Sequence, residues 1–384
     1  MFKIEERPAR VGKRDGLARF QEALGRIPAG GRAEVWFRLP IQLGDMIMAL
    51  PSLFTVKNAW QQLAQARGVR LDCVITGRRS AALFRESVPQ VFAACHLDDE
   101  FPPSRSPLQL RRHWGPCPPI AVVNYSKSDR LKLAAWLAGV PVRAGIGDGS
   151  ANWSYHFSHP FMSYDAVGHR VFRYLPLTRW LAGPETNHQQ ERLDSARFGG
   201  RSVLDQLRTL GWDGRPYVVF GVFPLPPFPE RRWMPLEAPW VHLAELARAA
   251  GVTPVLVGGP EQREALAPIA RASGALDLSG RTDLPQLLAL LDLAYGTISV
   301  DTGIAHLAAA TGRPTVVIFS HGQEFWDFPC GPKVISLRGN PAFEPLYPVS
   351  PRFPDDVVRP WTAATSSIPA ERAWSVLNAL AAEP

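Results

Sequence analysis

Cysteine is scarce in this 384-residue chain, with four residues at positions 73, 95, 117 and 330. No two of them lie two to four residues apart, so a compact zinc knuckle is not encoded. Cys73, Cys95, Cys117 and Cys330 read instead as reduced, mostly buried thiols. No Asp-x-Asp pair or His/Cys ligand set marks a metal site. No apolar run approaches the roughly 18 residues of a membrane-spanning helix. No block of five or six like charges occurs, which weakens a nucleic-acid reading. The opening stretch MFKIEERPARVGKRDG mixes both charge signs and has no apolar h-region. It is therefore no secretory signal, and the cytoplasm is the expected compartment.

What is present is an ordinary globular composition, 46 % apolar and 20 % charged, with a net charge of +7. The length suggests two domains. The charge suits nucleic acid, an anionic membrane surface or a phosphorylated substrate, beside the plain reading of colloidal solubility.

Residues 1–28 read as a helical appendix, because Leu17, Phe20, Leu24 and Ile27 share one helical face after Asp15. From there strand and helix patterns alternate. AEVWFRL, LDCVITG and IAVVNYS predict strands. GDMIMALPSLFTVKNAWQQLAQARG (with a break near Pro51), RSAALFRESV, DRLKLAAWLAG and HRVFRYLPLTRWLAG predict helices. A second series begins near GWDGRP. Its strands are PYVVFGVF, TPVLVGG, TISV and PTVVIF, and its helices WVHLAELARAAG, DLPQLLALLDLAYG and GIAHLAAATG. PAERAWSVLNALAAE predicts a terminal helix. The alternation implies α/β architecture, with two Rossmann-like domains of parallel sheet covered by helices. The expected divisions are 1–28, an N-terminal domain 29–213, a C-terminal domain 214–367, and a closing helix 368–384 that packs back on the N-terminal domain. Ligands of such sheets sit outside the carboxyl ends of the strands, so two domains facing each other would form a binding cleft.

Three stretches carry chemistry. In SVDTGIAHLAAATGRPTVVIF, Asp301, Thr302 and Gly303 stand where a strand turns into a helix, and His306 shares a face with Thr302. A helix N-terminus attracts anions, and glycine admits a close ligand. The alternative is that Asp301 only caps the helix, which explains the acid but not the histidine. In RLPIQLGDMIMALPSL an acid again opens a helix. Asp45 is either a plain cap or, at the cleft rim, a base that removes a proton from an attacking hydroxyl. In FPERRWMPLEAPW, Arg231 and Arg232 follow the first strand of the second series. Their fork geometry suits a pyrophosphate, and a solvated surface pair is the alternative.

Taken in order, these stretches resemble glycosyltransferase family 9, the ADP-heptose:lipopolysaccharide heptosyltransferases. The similarity spans roughly residues 33–325 and includes LGDMIMALP, RWMP, VLVGGPEQ, LSGRTDLPQLLALLDLA and SKSDRLKLAAWLAGVPVRAGIG. The resemblance implies the two-domain GT-B fold and an inverting transfer that needs no catalytic metal or other cofactor. It implies Asp45 as general base, and Asp301, Thr302, Gly303 and His306 around the sugar nucleotide. It places Arg231 or Arg232 at the donor phosphate, Thr282 and Leu284 beside adenine, and Lys127 and Arg130 toward the acceptor. The donor implied is ADP-heptose. The acceptor implied is an anionic glycolipid core such as lipopolysaccharide, or a protein, met in the cytoplasm or at the inner face of the membrane. Nucleic acid is not an expected partner. Two alternatives keep the fold: a nucleotide-sugar epimerase, and a non-catalytic sugar-nucleotide-binding homologue.

Overall fold

Strands and helices alternate as the pattern requires and assemble into two separate, wholly parallel sheets. The structure is a computed structural model that describes residues 16–126, 129–146, 171–188, 190–222, 237–319, 327–338 and 368–383. Its two units are Met1–Glu191 and Arg192–Pro384.

The first unit runs α1 (Gly16–Gly25), β1 (Arg32–Arg38), α2 (Leu43–Ala66), β2 (Arg70–Gly77), β3 (Ala94–Leu97), α3 (Pro107–Trp114), β4 (Ala121–Asn124), α4 (Asp129–Leu137), β5 (Val142–Gly145) and α5 (Leu175–Ala182). Its strand order is β3-β2-β1-β4-β5. RSAALFRESV forms a 3-10 helix, Arg79–Ser87. Side-chain alternation along β1 divides the core between the two faces of the sheet. Trp36 joins Leu110, Trp114 and Leu131 of α3 and α4. Phe37 faces Trp60 of α2, with ring centroids 6.1 Å apart. The helix read as an appendix is part of this unit. Phe20 of α1 is fully buried and stacks on Trp60 at 4.2 Å. An amphipathic stripe must be covered, and the first unit's own core covers this one.

A chain of buried polar groups links α2, α5 and the end of β4. Tyr125 Oη and Ser52 Oγ are 3.0 Å apart, Thr178 Oγ1 donates to Ser52 Oγ at 2.6 Å, and His188 Nε2 lies 2.9 Å from Thr178 Oγ1. Burial lowers the His188 pKa from 6.5 to about 4. At neutral pH the ring is uncharged in both the folded and the unfolded chain. As pH falls below 6.5 the unfolded chain takes up a proton that the folded one refuses until about pH 4. The first unit should therefore lose about 2–3 kcal/mol of stability across that window, allowing for partial exposure of the ring. Denaturant unfolding between pH 7 and 4.5 checks this. His188→Asn should flatten the slope, and an unchanged slope would show that His188 is not its source.

The second unit runs α6 (Leu204–Thr209), β6 (Tyr217–Gly221), α7 (Glu237–Ala249), β7 (Thr253–Val257), α8 (Arg263–Ser273), β8 (Leu276–Asp277), α9 (Leu284–Leu293), β9 (Gly296–Val300), α10 (Gly303–Ala310), β10 (Thr315–Phe319), β11 (Val334–Arg338) and α11 (Ala370–Ala382). Its strand order, β11-β10-β9-β6-β7-β8, is that of the Rossmann fold. The central strands β6, β9 and β10 are buried throughout, as strands rich in apolar residues in the middle of a parallel sheet require.

Two boundaries differ from the sequence reading. Residues 192–213, read as the end of the first domain, belong to the second unit. Arg192 donates to Asp292 at 2.8 Å and to the Thr311 carbonyl at 2.7 Å, and the Ser195 amide and hydroxyl both donate to Asp292 at 2.8 Å. Burial alone would raise the Asp292 pKa, but the Ser195 and Arg192 bonds hold it below the usual carboxylate value. The closing helix α11, expected to pack on the first domain, packs on the second unit's sheet. Trp374, Leu377 and Leu380 join Phe220, Ile298 and Val316 in one core. A Cβ on Gly296 would come within 2.7 Å of Leu377, which shows how closely α11 seats on β9.

Among the described residues, no helix is long and apolar enough to cross a membrane. Burial pushes the Cys73 thiol up to about 12 and those of Cys95 and Cys330 to about 11, so these three stay protonated. Cys117, read with them as buried, is exposed.

Candidate active site

In a parallel sheet all carboxyl ends share one edge, and ligands bind where neighbouring strands lead in opposite directions. That switch point lies between β1 and β4 in the first unit and between β6 and β9 in the second.

In the second unit, β9 ends at Val300 and Asp301 follows. The N-cap of α10 is Thr302, whose Oγ1 accepts from the Ile304 amide at 3.2 Å. Capping therefore does not explain Asp301. Its side chain is 15 % exposed and its Oδ1 lies 4.0 Å from Nε2 of His306, a buried ring at 4 % exposure. Ser299, buried below them, lies 3.3 Å from Thr302 Oγ1 and 3.2 Å from the Gly221 carbonyl at the end of β6. A Cβ on Gly221 would stand 2.4 Å from Ser299 Oγ, so only glycine lets these two strand ends meet. Gly303 opens α10, whose amide end provides positive potential. Thr282 and Leu284 flank Asp283, which caps α9 in a reciprocal box with Gln286. The turn holding them follows β8, three strands from β9 across the sheet. Three strand spacings make about 14 Å, the scale of an extended nucleotide. Asp301, Thr302, Gly303, His306, Thr282 and Leu284 thus share one edge. Arg231 and Arg232 lie outside the described residues.

In the first unit, Asp45 stands in the first turn of α2. The N-cap is Gln42, so Asp45 is not the cap here either. Ser52 follows seven residues later on nearly the same helical face, and its hydroxyl meets Tyr125 Oη. Tyr125 comes directly after β4, and its amide donates to the Arg38 carbonyl at the end of β1 at 2.8 Å. The face of α2 that carries Asp45 is thereby turned to the β1/β4 switch point.

A recess of about 340 Å³ opens at the same carboxyl edge, lined by Trp36, Arg38, Ile41, Arg78, Asp98 and Arg130 among others. Buried Arg38 forks onto Asp98, and Arg78 Nε is 3.8 Å from the same carboxylate. Two guanidinium groups face one acid, before Arg130 is counted, so the recess suits an anion. Ile41, in the turn between β1 and α2, lines it as well, four residues before Asp45 in the sequence. Arg130 is exposed at α4 and lines the recess, whereas Lys127 lies outside the described residues. Arg38, Arg78 and Asp98 were not singled out from the sequence. The available signal was Arg38 itself, a charge closing an otherwise apolar strand end. Among the described residues, no group of three or more His, Cys, Asp or Glu side chains is placed to hold a metal ion.

The sequence profile of glycosyltransferase family 9 (heptosyltransferase) matches residues 127–342. No curated protein matches the chain. Several solved structures share its fold. The ADP-heptose lps heptosyltransferase II of E. coli is 19 % identical with a TM-score of 0.65, over 91 % of this chain and 98 % of that one. A glycosyl transferase family 9 protein from Veillonella parvula DSM 2008 is 18 % identical with a TM-score of 0.69, over 92 % and 98 %. The E. coli heptosyltransferase WaaC with ADP is 18 % identical with a TM-score of 0.61, over 90 % and 99 %.

Proposed function

Because the chain belongs to glycosyltransferase family 9 (heptosyltransferase), we propose that this glycosyltransferase moves heptose from ADP-heptose to a hydroxyl of an anionic glycolipid core such as lipopolysaccharide, with inversion and without a catalytic metal. One observation carries the reading. Each unit has an acid in the first turn, or just before the first turn, of the helix at its switch point, and in neither case is that acid the helix cap. The N-cap positions are held by Gln42 and Thr302, and both acids stand at the carboxyl edge of their sheets, where ligands of such folds bind, which supports a ligand role for both.

The donor lies along the carboxyl edge of the second sheet, with adenine toward Thr282 and Leu284 and the sugar toward Asp301 and His306. An ionised carboxylate is a pure acceptor and suits sugar hydroxyls. Asp45 takes the proton of the attacking acceptor hydroxyl. That oxygen forms a bond to the anomeric carbon as the bond to the diphosphate breaks on the opposite face, so ADP leaves and the centre inverts. The N-terminus of α10 and Arg231 or Arg232 meet the charge gathering on the leaving group. Arg78, Arg130 and Lys127 hold the acceptor's anionic groups. The acceptor class and the net charge of +7 together suit work at the inner membrane face.

A thermal-shift screen of ADP-, GDP-, UDP- and dTDP-sugars tests the donor. ADP-heptose at 100 times its dissociation constant should add about 2.7 kcal/mol, and ADP should be released when a heptose-free lipopolysaccharide core is added. Stabilisation by a UDP-sugar alone, or no ADP release with that core, would overturn the reading.

A further inference from the structure

Helix α2 carries Asp45 in a segment that is poorly secured by its own backbone. Its N-cap Gln42 makes no side-chain capping bond. Gly44 occupies the first turn, where glycine is about 1 kcal/mol worse than alanine. Pro51 sits inside the helix, which runs on without the break expected there, and has no N–H to offer the Ile47 carbonyl one turn back. Residues 43–50 therefore depend on tertiary contacts for their position.

Directly after the proline, those contacts are polar and buried. Ser52 Oγ is 3.0 Å from Tyr125 Oη and accepts from Thr178 Oγ1 at 2.6 Å. Ser52 and Thr178 are fully enclosed, as is the Tyr125 ring. Thr178 Oγ1 also lies 2.9 Å from the Tyr174 carbonyl and 2.9 Å from His188 Nε2, which ties the cluster to α5. Tyr125 is anchored to β1 through its amide. Further along α2, Trp60 Nε1 donates to the Leu181 carbonyl at 2.9 Å. Apolar packing would fill this space equally well but would allow α2 to rotate or slide by fractions of a turn. A set of directional hydrogen bonds admits one register.

We propose that the Ser52–Tyr125–Thr178 hydroxyl cluster is a positioning device that sets the register of the proline-containing helix α2 and so holds Asp45 at the β1/β4 switch point. The three residues act through α2 and do not touch the reacting atoms. The part that concerns turnover rests on the reading of Asp45 as general base, whereas the part that concerns α2 does not.

Hydrogen exchange read by mass spectrometry separates the two. In Ser52→Ala, Tyr125→Phe and Thr178→Val, amides 43–50 should exchange at least about tenfold faster, with those of 55–66 unchanged. Tyr125→Phe removes a single oxygen and keeps the ring, so it tests the cluster even if a second variant fails to fold. In ADP release from ADP-heptose onto a heptose-free lipopolysaccharide core, kcat should fall about tenfold or more with donor KM unchanged, as for a misplaced catalytic group. Thr178→Ser, which keeps the hydroxyl, should restore both readouts. Unchanged exchange at 43–50 would overturn the proposal, as would a lowered melting temperature with kcat intact where Asp45→Asn is inactive. Asp45→Asn serves as the control arm. If it turns over normally, the general-base reading fails and the exchange result still decides the cluster's role. If it is inactive while the cluster variants are fully active, only the positioning proposal fails.

Discussion

Asp45→Asn should slow sugar transfer at least about a hundredfold while ADP-heptose still binds with near-normal affinity. Loss of a general base typically costs about 10²–10⁴ in rate. Asp301, Thr302, Gly303 and His306, to which donor binding is assigned in the proposed function, belong to the second unit, so ground-state donor binding has little to lose. The fold should survive the change. Gln42, not Asp45, occupies the N-cap of α2, and asparagine matches aspartate in volume. The main structural loss is the favourable charge at the helix N-terminus, about 0.3–1 kcal/mol. Single-turnover kinetics with a verified acceptor and donor titration by calorimetry measure the two halves. Near-normal turnover would remove Asp45 from the chemistry, and a parallel loss of donor affinity would move it to the donor site.

Asp301→Asn should weaken ADP-heptose binding about 10- to 100-fold with little change in melting temperature. A hydrogen bond to a charged group contributes about 1.5–3 kcal/mol, and each 1.4 kcal/mol is tenfold in affinity. The geometry makes the test clean. Thr302 Oγ1 holds the Ile304 amide and continues to cap α10 when residue 301 changes. His306 Nε2 is 4.0 Å from Asp301 Oδ1, so the pair forms one polar wall against the apolar body of α10. The loss should be larger for the nucleotide sugar than for ADP, because the carboxylate is assigned to sugar hydroxyls. Equal losses for both ligands would place Asp301 at the nucleotide. A sharp fall in melting temperature with unchanged affinity would make the carboxylate structural.

Much of the fold was legible in the chain because parallel strands buried on both faces must be apolar along their whole length. YVVFG and TVVIF declare themselves largely that way, and GTISV does so less, with Thr297 and Ser299 buried among its apolar residues. The outer strands do not. ACHL, VRAG, LD and VISLR are short or half-buried, and the pairing that makes them strands is a contact with residues far off in sequence. The helix RSAALFRESV was expected, but its 3-10 winding was not. Residues 192–213 read as the end of the first domain because they precede the second series of strands. Contacts with Asp292 and the Thr311 carbonyl, a hundred residues or more from Arg192, draw them into the second unit.

The sequence by itself determined the class of the fold, the family, and the acids at the two strand-to-helix turns, because all three depend on local pattern and residue type. Tertiary structure decided what each acid is available for. Thr302 and Gln42 take the N-cap positions, which rests on backbone angles and a hydrogen bond that composition does not encode. It likewise decided that Phe20 closes over Trp60 and that α11 lies on its own unit's sheet. An amphipathic stripe specifies that it must be covered but not by which neighbour. The recess of Arg38, Arg78, Asp98 and Arg130 was also beyond the sequence. Its charges come from four separate elements and meet only because a parallel sheet gathers the carboxyl ends of its strands on one edge.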